Sequence, residues 1–256
     1  MKINDFIKEL EKLGIVLTKN QLDQLEKYYE LLIEYNKVMN LTGITKKEEV
    51  YLKHFYDSIT LIKIVDLNNE KNLCDIGTGA GFPGLVLKIV FPNLEVTLVD
   101  SLNKRINFLN KVIEELQLKK IETVHSRIEE YAKDNIERFD VVTARAVAQM
   151  HFLLEVSIPM VKINKYFIAM KGNMENEINY TKTLEKLSSK EIGKIEFKLP
   201  YENSDRTLIK IIKNKSTSKK FPRKYSEIKR NPLLWFLFFK YFPNFFKILE
   251  LFPKVL

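Results

Sequence analysis

The residues best placed to do chemistry are the glycines of Asp75-Ile-Gly-Thr-Gly-Ala-Gly-Phe-Pro-Gly84 and the acids around them. Gly77, Gly79, Gly81 and Gly84 follow a short apolar strand, so the backbone there can approach a ligand that bulkier side chains would exclude. A helix opening at Pro83 turns its N-terminal N–H groups toward the same ligand. Asp100 closes a second strand, 94–100, where an acidic side chain can hold a pair of ribose hydroxyls. The chemistry implied is the binding of a nucleoside cofactor. Gly77-x-Gly79-x-Gly81 suits S-adenosylmethionine enzymes, whereas Gly79-x-Gly81-x-x-Gly84 also satisfies the dinucleotide fingerprint. Asp75 favours the first, because a carboxylate just before the glycines can meet a cationic methionine group. The lack of a second βαβαβ half downstream favours it too.

Positioning these residues requires a parallel sheet with helices on both faces, and from Leu73 the pattern of short apolar strands and amphipathic helices predicts one. Ser101 is expected to cap a helix whose buried stripe is Leu102, Ile106, Leu109, Ile113 and Leu116. Lys104 and Arg105 fall in its first turn, where cations oppose the helix dipole by about 0.3–1 kcal/mol each, which invites a phosphate contact as their reason. A third strand, 121–125, leads into Ser126-Arg-Ile-Glu129, a capping-box pattern that explains Glu129 structurally. The same loop passes beside a bound nucleoside base at the carboxyl edge of such a sheet. The fourth strand, 140–143, delivers Arg145 to that edge, and an arginine rising from a buried strand into a crevice is read as a site residue. Strand 162–170 follows, then a polar helix over 175–190 and an antiparallel pair, 195–199 and 207–213. That ending suits an S-adenosylmethionine methyltransferase better than a dinucleotide dehydrogenase. At the other end, Thr18-Lys-Asn-Gln21 is a capping box before a helix with Leu22, Leu25, Tyr29 and Leu32 on one face. Asn40, Thr42 and His54-Phe-Tyr-Asp-Ser-Ile59 read as a cap and a helix surface, with a place at the site entrance as the lesser reading.

The 256 residues are enough for one main α/β domain with extensions: helices over 1–64, the core over 65–214, a basic segment over 215–233 and an aromatic tail over 234–256. The single cysteine, Cys74, lies inside the first strand and gives no disulfide framework or zinc spacing. His54, His125 and His151 stand among unlike neighbours, so no metal is expected. The net charge of +9 favours a polyanionic partner, and it is concentrated. Between Lys215 and Arg230 seven basic residues face the single acid Glu227, which accounts for six of those nine charges. Phe221, Pro222 and Tyr225 are interleaved there, as stacking groups among cations would be on an RNA surface. The tail carries Trp235, Phe236, Phe238, Phe239, Phe242, Phe245, Phe246 and Phe252. Lys240, Pro243, Lys247 and Glu250 interrupt it too often for a membrane span. Packing on the domain is preferred for it over lying on a membrane surface or arising from an altered reading frame. The N-terminus lacks the apolar run of a signal peptide.

Taken in order, several blocks resemble one family. They are Asn36-Lys-Val-Met-Asn-Leu-Thr42, His54-Phe-Tyr-Asp-Ser58, the glycine loop, Asp100-Ser-Leu-Asn-Lys-Arg105, Ser126-Arg-Ile-Glu-Glu130, Ala144-Arg-Ala146 and Lys219-Lys-Phe-Pro-Arg-Lys224. The chain resembles the RsmG-type (glucose-inhibited division protein B) bacterial 16S ribosomal RNA guanine-N7 methyltransferases, as far as about Leu233. The resemblance implies a Rossmann-like S-adenosylmethionine-dependent sheet with an N-terminal helical extension and a C-terminal antiparallel strand pair. It implies a cytoplasmic enzyme, taken as a monomer, acting on 16S rRNA in the small ribosomal subunit or its precursor. Cofactor positions carried over by motif are Gly77, Phe82, Ile128, Glu129 and Arg145, with Arg145 also the expected catalytic residue; Gly79, Gly81 and Asp100 join them on physical grounds. Lys104, Arg105, Lys219, Lys220, Arg223 and Lys224 are the expected RNA contacts. Methylation of another RNA, or RNA binding through a retained cofactor fold without turnover, are the alternatives. The chain departs from the family pattern at Tyr225-Ser-Glu-Ile228, where a glycine and a proline usually follow the basic block, and in the tail beyond Leu233.

Overall fold

The computed structural model describes residues 1–145, 148–172, 174 and 177–233; the expectations for the 234–256 tail lie outside them. Five apolar runs form the parallel strands β1 (Asn72–Ile76), β2 (Glu95–Asp100), β3 (Ile121–His125), β4 (Phe139–Arg145) and β5 (Val161–Lys171). The central ones are buried almost end to end, as strands covered on both faces must be. The last two strands, β6 (Ser189–Lys198) and β7 (Asp205–Lys213), form a hairpin that inserts β7 antiparallel against β5. The sheet order is β3-β2-β1-β4-β5-β7-β6. After β3 the chain crosses back over β1 to build β4, so a crevice opens at the carboxyl ends of β1 and β4, where such a reversal creates a binding site.

Neighbouring residues in each strand supply opposite cores. Leu73, Val141 and Ile168 face one cluster, and Cys74, Val142 and Phe167 face the other. The first is closed by α1 (Ile3–Glu11), α2 (Lys19–Met39), α5 (Gly84–Val90) and α6 (Asn103–Glu115). The second is closed by α7 (Ile128–Asp134), α8 (Met150–Ser157), α9 (Thr181–Lys186) and α10 (Tyr225–Arg230). Between α2 and β1, α3 (Lys47–Val50) runs through a π-helical turn, Tyr51–Tyr56, into α4 (Asp57–Ile59).

The N-terminal helices are fastened by side chains that read backbone. Thr18 and Gln21 form the expected capping box on α2. Gln21 also donates to the carbonyls of Ile89 and Val90 at 2.9 and 3.0 Å, and Gln24 donates to that of Leu116 at 2.9 Å. These are the carbonyls that the ends of α5 and α6 leave without intrahelical partners. Asn40, in the left-handed region at φ 51°, ends α2 and turns the chain toward the crevice.

Several local expectations are corrected. Ser101 does not cap α6: the Asp100 carboxylate takes the Leu102 N–H at 2.9 Å, Leu102 becomes the cap residue, and it is exposed rather than part of the stripe. Phe108 and Val112 are buried with Ile106 and Leu109 in its place. The 126–129 capping box does not form, because the Ser126 hydroxyl donates to the Arg127 carbonyl and Arg127 starts α7 without a side-chain cap. The helix expected over 175–190 shortens to α9, since Ser189 is already paired with Lys213 in the β6–β7 ladder.

The basic segment is also less of an open surface than its composition suggested. Phe221 is buried in the second core and Pro222 is buried beside it, so they are withdrawn from base stacking, and Tyr225 alone of the three is exposed. Arg223 forks onto the fully buried Glu155, with Nε–Oε1 at 2.7 Å and Nη2–Oε2 at 2.6 Å, and Nη1 donates to the Asn231 carbonyl at 2.9 Å. Its guanidinium is therefore committed internally. Among the described residues no helix is long and apolar enough to cross a membrane.

Arg223→Ala strands a buried carboxylate and is expected to cost about 3–5 kcal/mol, whereas Arg223→Met with Glu155→Leu costs clearly less. Denaturant unfolding of the two variants checks this; equal losses would mean that the pair does not anchor the segment.

Candidate active site

Asp75 builds the glycine loop from beneath. Its Oδ2 accepts from the Thr78 hydroxyl at 2.6 Å and from the Gly84 N–H at 2.8 Å, so the strand end, the loop and the start of α5 share one carboxyl group. The Gly77 and Thr78 amides both donate to the Val99 carbonyl. Gly77 and Gly79 lie at φ 65° and 63°, in the left-handed region that a side chain disfavours. The Gly79 N–H donates to Asp100 Oδ2 at 2.9 Å, and Arg105 Nη1 reaches the same oxygen at 3.1 Å. With Leu102 on Oδ1, three donors fill most of the roughly four acceptor positions of the Asp100 carboxylate and leave about one for a ligand hydroxyl.

Burial pushes the Asp75 carboxyl up to about 7, against the lowering effect of the Thr78 and Gly84 hydrogen bonds and of Arg145. Its Oδ1 is buried without a hydrogen-bond partner, which a neutral carboxyl tolerates better than a carboxylate. Asp75 is wholly buried and lies under the loop rather than on the cavity wall.

The opposite wall comes from the N-terminal helices. The π-helical turn presents His54, stacked on Phe82 at 4.4 Å between ring centroids and 15° between planes. Arg145, at the end of β4, also lies over the Phe82 ring, 5.1 Å from its centroid. Its Nη1 donates to the Lys53 carbonyl at 3.0 Å and to Asp57 Oδ2 at 3.2 Å, and its Nη2 donates to His54 Nδ1 at 3.3 Å. Arg206 of β7 takes the other Asp57 oxygen at 2.8 Å. Beyond the imidazole, His54 Nε2 lies 2.8 Å from the Thr42 hydroxyl. Burial and the facing arginine depress the His54 pKa to about 3, so the ring is neutral. Burial also lowers that of Arg145, with Asp57 opposing the shift.

Between these walls is a cavity of about 700 Å³ at the carboxyl edge of the sheet. It brings together Gly77, Gly79, Phe82, Asp100, Arg105, Ile128, Glu129 and Arg145 from the sequence reading. Gly81 does not belong with them. A Cβ there would sit 2.5 Å from the Tyr28 hydroxyl and 3.0 Å from Leu109, so this glycine serves the close packing of α2 on the loop. Lys104 points off the cavity and donates to the Met39 carbonyl at 3.0 Å. Lys219, Lys220 and Lys224 line a separate hollow beside α7. The reading missed Thr42 as a firm site residue, and it missed Arg127, Gln149 and Phe152 on the rim; Tyr225 and Lys229, read as part of the basic RNA-facing segment, also reach that rim. The one available signal was the pair of polar blocks around Asn40–Thr42 and His54. The residues present fit S-adenosylmethionine: a side-chain-free backbone at Gly77 and Gly79 on the cavity wall, an acid at the end of β2 with acceptor capacity left, and a buried acid, Glu129, after β3.

The sheet order fits a Rossmann-like fold of the kind expected, and comparison decides the family. The model of the GidB family, described as rRNA small subunit methyltransferase G, matches residues 21–208.

The chain belongs to this family.

Ribosomal RNA small subunit methyltransferase G of Bacillus subtilis (strain 168) is 48% identical over 237 residues, covering 91% of this chain and 99% of that one. The protein of the same name from Bacillus licheniformis is 49% identical over 240 residues, with the same two coverages. Among solved structures, M. jannaschii TYW2 in complex with AdoMet aligns with a TM-score of 0.52 at 14% identity, over 67% of this chain and 79% of that chain. That likeness concerns the fold. As a member of the GidB family the chain is an enzyme, and the earlier resemblance drawn from its motifs agrees with the match.

The raised Asp75 pKa sets a pH dependence. A carboxyl whose folded pKa exceeds its ordinary value of 3.8 stabilises fully below that value and loses its contribution as pH rises toward about 7. Asp75→Asn should therefore gain on the wild type by up to about 1.4 kcal/mol per pH unit between pH 4 and 7. Thermal unfolding of both proteins across that range checks it, and parallel curves would show that Asp75 is ionised throughout.

Proposed function

We propose that this protein transfers the methyl group of S-adenosylmethionine to N7 of a guanine in 16S rRNA. The observation that carries the reading is the family match over nearly the whole chain, falling on a cavity whose lining fits that cofactor. S-adenosylmethionine, when bound, supplies an electrophilic methyl group on a sulfonium. The Gly77 and Gly79 backbone would let it approach, Asp100 would hold the ribose, Ile128 and Glu129 would flank the adenine, and Phe82 and Arg145 would form the wall at the methionine end.

Guanine N7 has a lone pair and carries no proton, so the chain needs no general base at the reacting atom. The site is consistent with that: His54 is neutral and hydrogen-bonded on both nitrogens, and Asp75 is sealed beneath the loop. The work of these residues is to hold N7 in line, an alignment that supplies about 7–11 kcal/mol at the favourable limit. The guanine must leave any stack to enter the cavity. Tyr225 and Phe152, edge to face at 5.8 Å, stand on the rim where an unstacked base would pass.

RNA outside the cavity meets Lys219, Lys220 and Lys224, with Lys229 and Arg105 nearer the opening and Lys104 beside α2. Arg223 acts by anchoring this segment on Glu155. Such an enzyme works where small subunits are made, in the cytoplasm.

Deletion of the gene should remove N7-methylguanine from one position of 16S rRNA, and purified protein with S-adenosylmethionine should restore it, as read by mass spectrometry. A mark that persists would overturn the assignment. Lys219→Ala with Lys220→Ala should weaken rRNA binding and flatten the plot of log affinity against log salt by up to about 1.5 units, measured by titration at several ionic strengths. An unchanged slope would remove these lysines from the interface.

A further inference from the structure

Thr42 stands on the cavity wall at the end of a chain of hydrogen bonds whose proton directions are fixed. The chain starts at Arg145, whose guanidinium has donors and no acceptor. Its Nη2 faces His54 Nδ1 at 3.3 Å, so Nδ1 must accept. The buried ring is neutral and carries one proton, which is therefore on Nε2. Nε2 in turn donates to the Thr42 hydroxyl oxygen at 2.8 Å. The Ile44 N–H donates to the same oxygen at 3.0 Å. A hydroxyl has two lone pairs and one proton. Both lone pairs are filled, and the proton is left for the cavity.

The opposite tautomer would set an Nδ1–H against the Arg145 Nη2 donors at 3.3 Å, and the Lys53 carbonyl beside it already accepts from Arg145 Nη1 at 3.0 Å. The backbone keeps the hydroxyl in place, since the Thr42 N–H donates to Asn36 Oδ1 at 2.9 Å. An ordinary threonine rotates to accept or donate as its partner requires. Here it can only donate.

The edge of guanine that carries N7 also carries O6, and both are acceptors; adenine has N7 beside an amino group, which donates. A base that presents N7 for methylation brings its six-position substituent into the same part of the site. A wall that can only donate satisfies O6 and opposes an adenine amino group. Of the cationic donors lining the cavity, Arg145 is engaged with Asp57 and Arg105 with Asp100, while Arg127 and Lys229 stand on the rim. Thr42 also comes from the N-terminal helical region and not from the strand ends and loops that fit the cofactor.

We propose that the Thr42 hydroxyl, held as a one-way donor by the Arg145–His54 relay, hydrogen-bonds O6 of the target base and selects guanine over adenine. This rests on the guanine-N7 reading given above.

The test uses the full-length protein and 16S rRNA or small subunits carrying guanosine, inosine or 2-aminopurine at the target position. Inosine keeps O6, and 2-aminopurine lacks it. Thr42→Val should lower kcat/KM about 10- to 100-fold on guanosine and inosine, the scale of an unmet buried hydrogen bond. On 2-aminopurine the wild type should already be slow, and Thr42→Val should slow it less than 3-fold further. Thr42→Ser should restore most of the rate on guanosine. Affinity for S-adenosylhomocysteine, measured by calorimetry, should change less than 3-fold in both variants and so report an intact cofactor site. Equal losses on all three bases would overturn the proposal. A matching loss of S-adenosylhomocysteine affinity would also overturn it, by turning the hydroxyl toward the cofactor. If the wild type forms no N7-methylguanine, the underlying reading fails and this proposal falls with it, whereas methylation insensitive to Thr42 overturns this proposal alone.

Discussion

One carboxylate joins the three parts of the molecule. Asp57, buried on α4, gives one oxygen to Arg145 at the end of β4 and the other to Arg206 on the antiparallel strand β7. The N-terminal helices, the centre of the parallel sheet and the closing hairpin thus meet at a single anion. Two guanidiniums against one carboxylate leave an excess positive charge close to the cavity, in surroundings where charge is weakly screened. Such a field attracts anionic groups of ligands and keeps the neighbouring imidazole unprotonated. It also fixes the plane of Arg145, and through it Phe82 and His54. The wall opposite the glycine loop is therefore rigid before any ligand enters, as positioning catalysis requires.

How much of this could be read from the sequence depended on the range of the interactions involved. The strands, their order of appearance and the crevice followed from local periodicity, which brought Gly77, Gly79, Asp100, Glu129 and Arg145 to one edge. His54 reaches the site by a contact with Arg145, about ninety positions away, and Thr42 is held there through His54; local pattern has no access to that. Within the glycine run, spacing alone could not separate Gly77 and Gly79, which line the cavity, from Gly81, which packs against Tyr28. The Ser101 cap failed because the Asp100 carboxylate took the amide it would have met, and the Ser126 cap because its hydroxyl turned to the Arg127 carbonyl. Arg223 shows the same limit for charge: an arginine bound to a buried glutamate and one awaiting a phosphate look alike in composition.

The loop and the wall also divide their duties. Beneath the glycines, Asp75 uses hydrogen bonds to backbone and Thr78 to hold a shape, and it can do so neutral or charged. Across the cavity, Asp57 must be charged to hold two arginines. One carboxyl group holds backbone and the other holds cations. The basic segment repeats the second strategy at Glu155, where a buried anion ties a cation-rich stretch to α8 and keeps its remaining lysines outward.

The way α2 is held has a consequence for how freely its neighbours can vary. Gln21 and Gln24 grip main-chain oxygens at the ends of α5 and α6, and every residue type supplies such an oxygen. The polar part of this joint is therefore indifferent to which side chains follow one another at those helix ends. Substitutions there can accumulate without loosening these grips, provided that the helices keep their lengths. An insertion or deletion of one residue in α5 or α6 would rotate the helix end by about 100° and carry the oxygens out of reach. The joint tolerates changes of letter and resists changes of count.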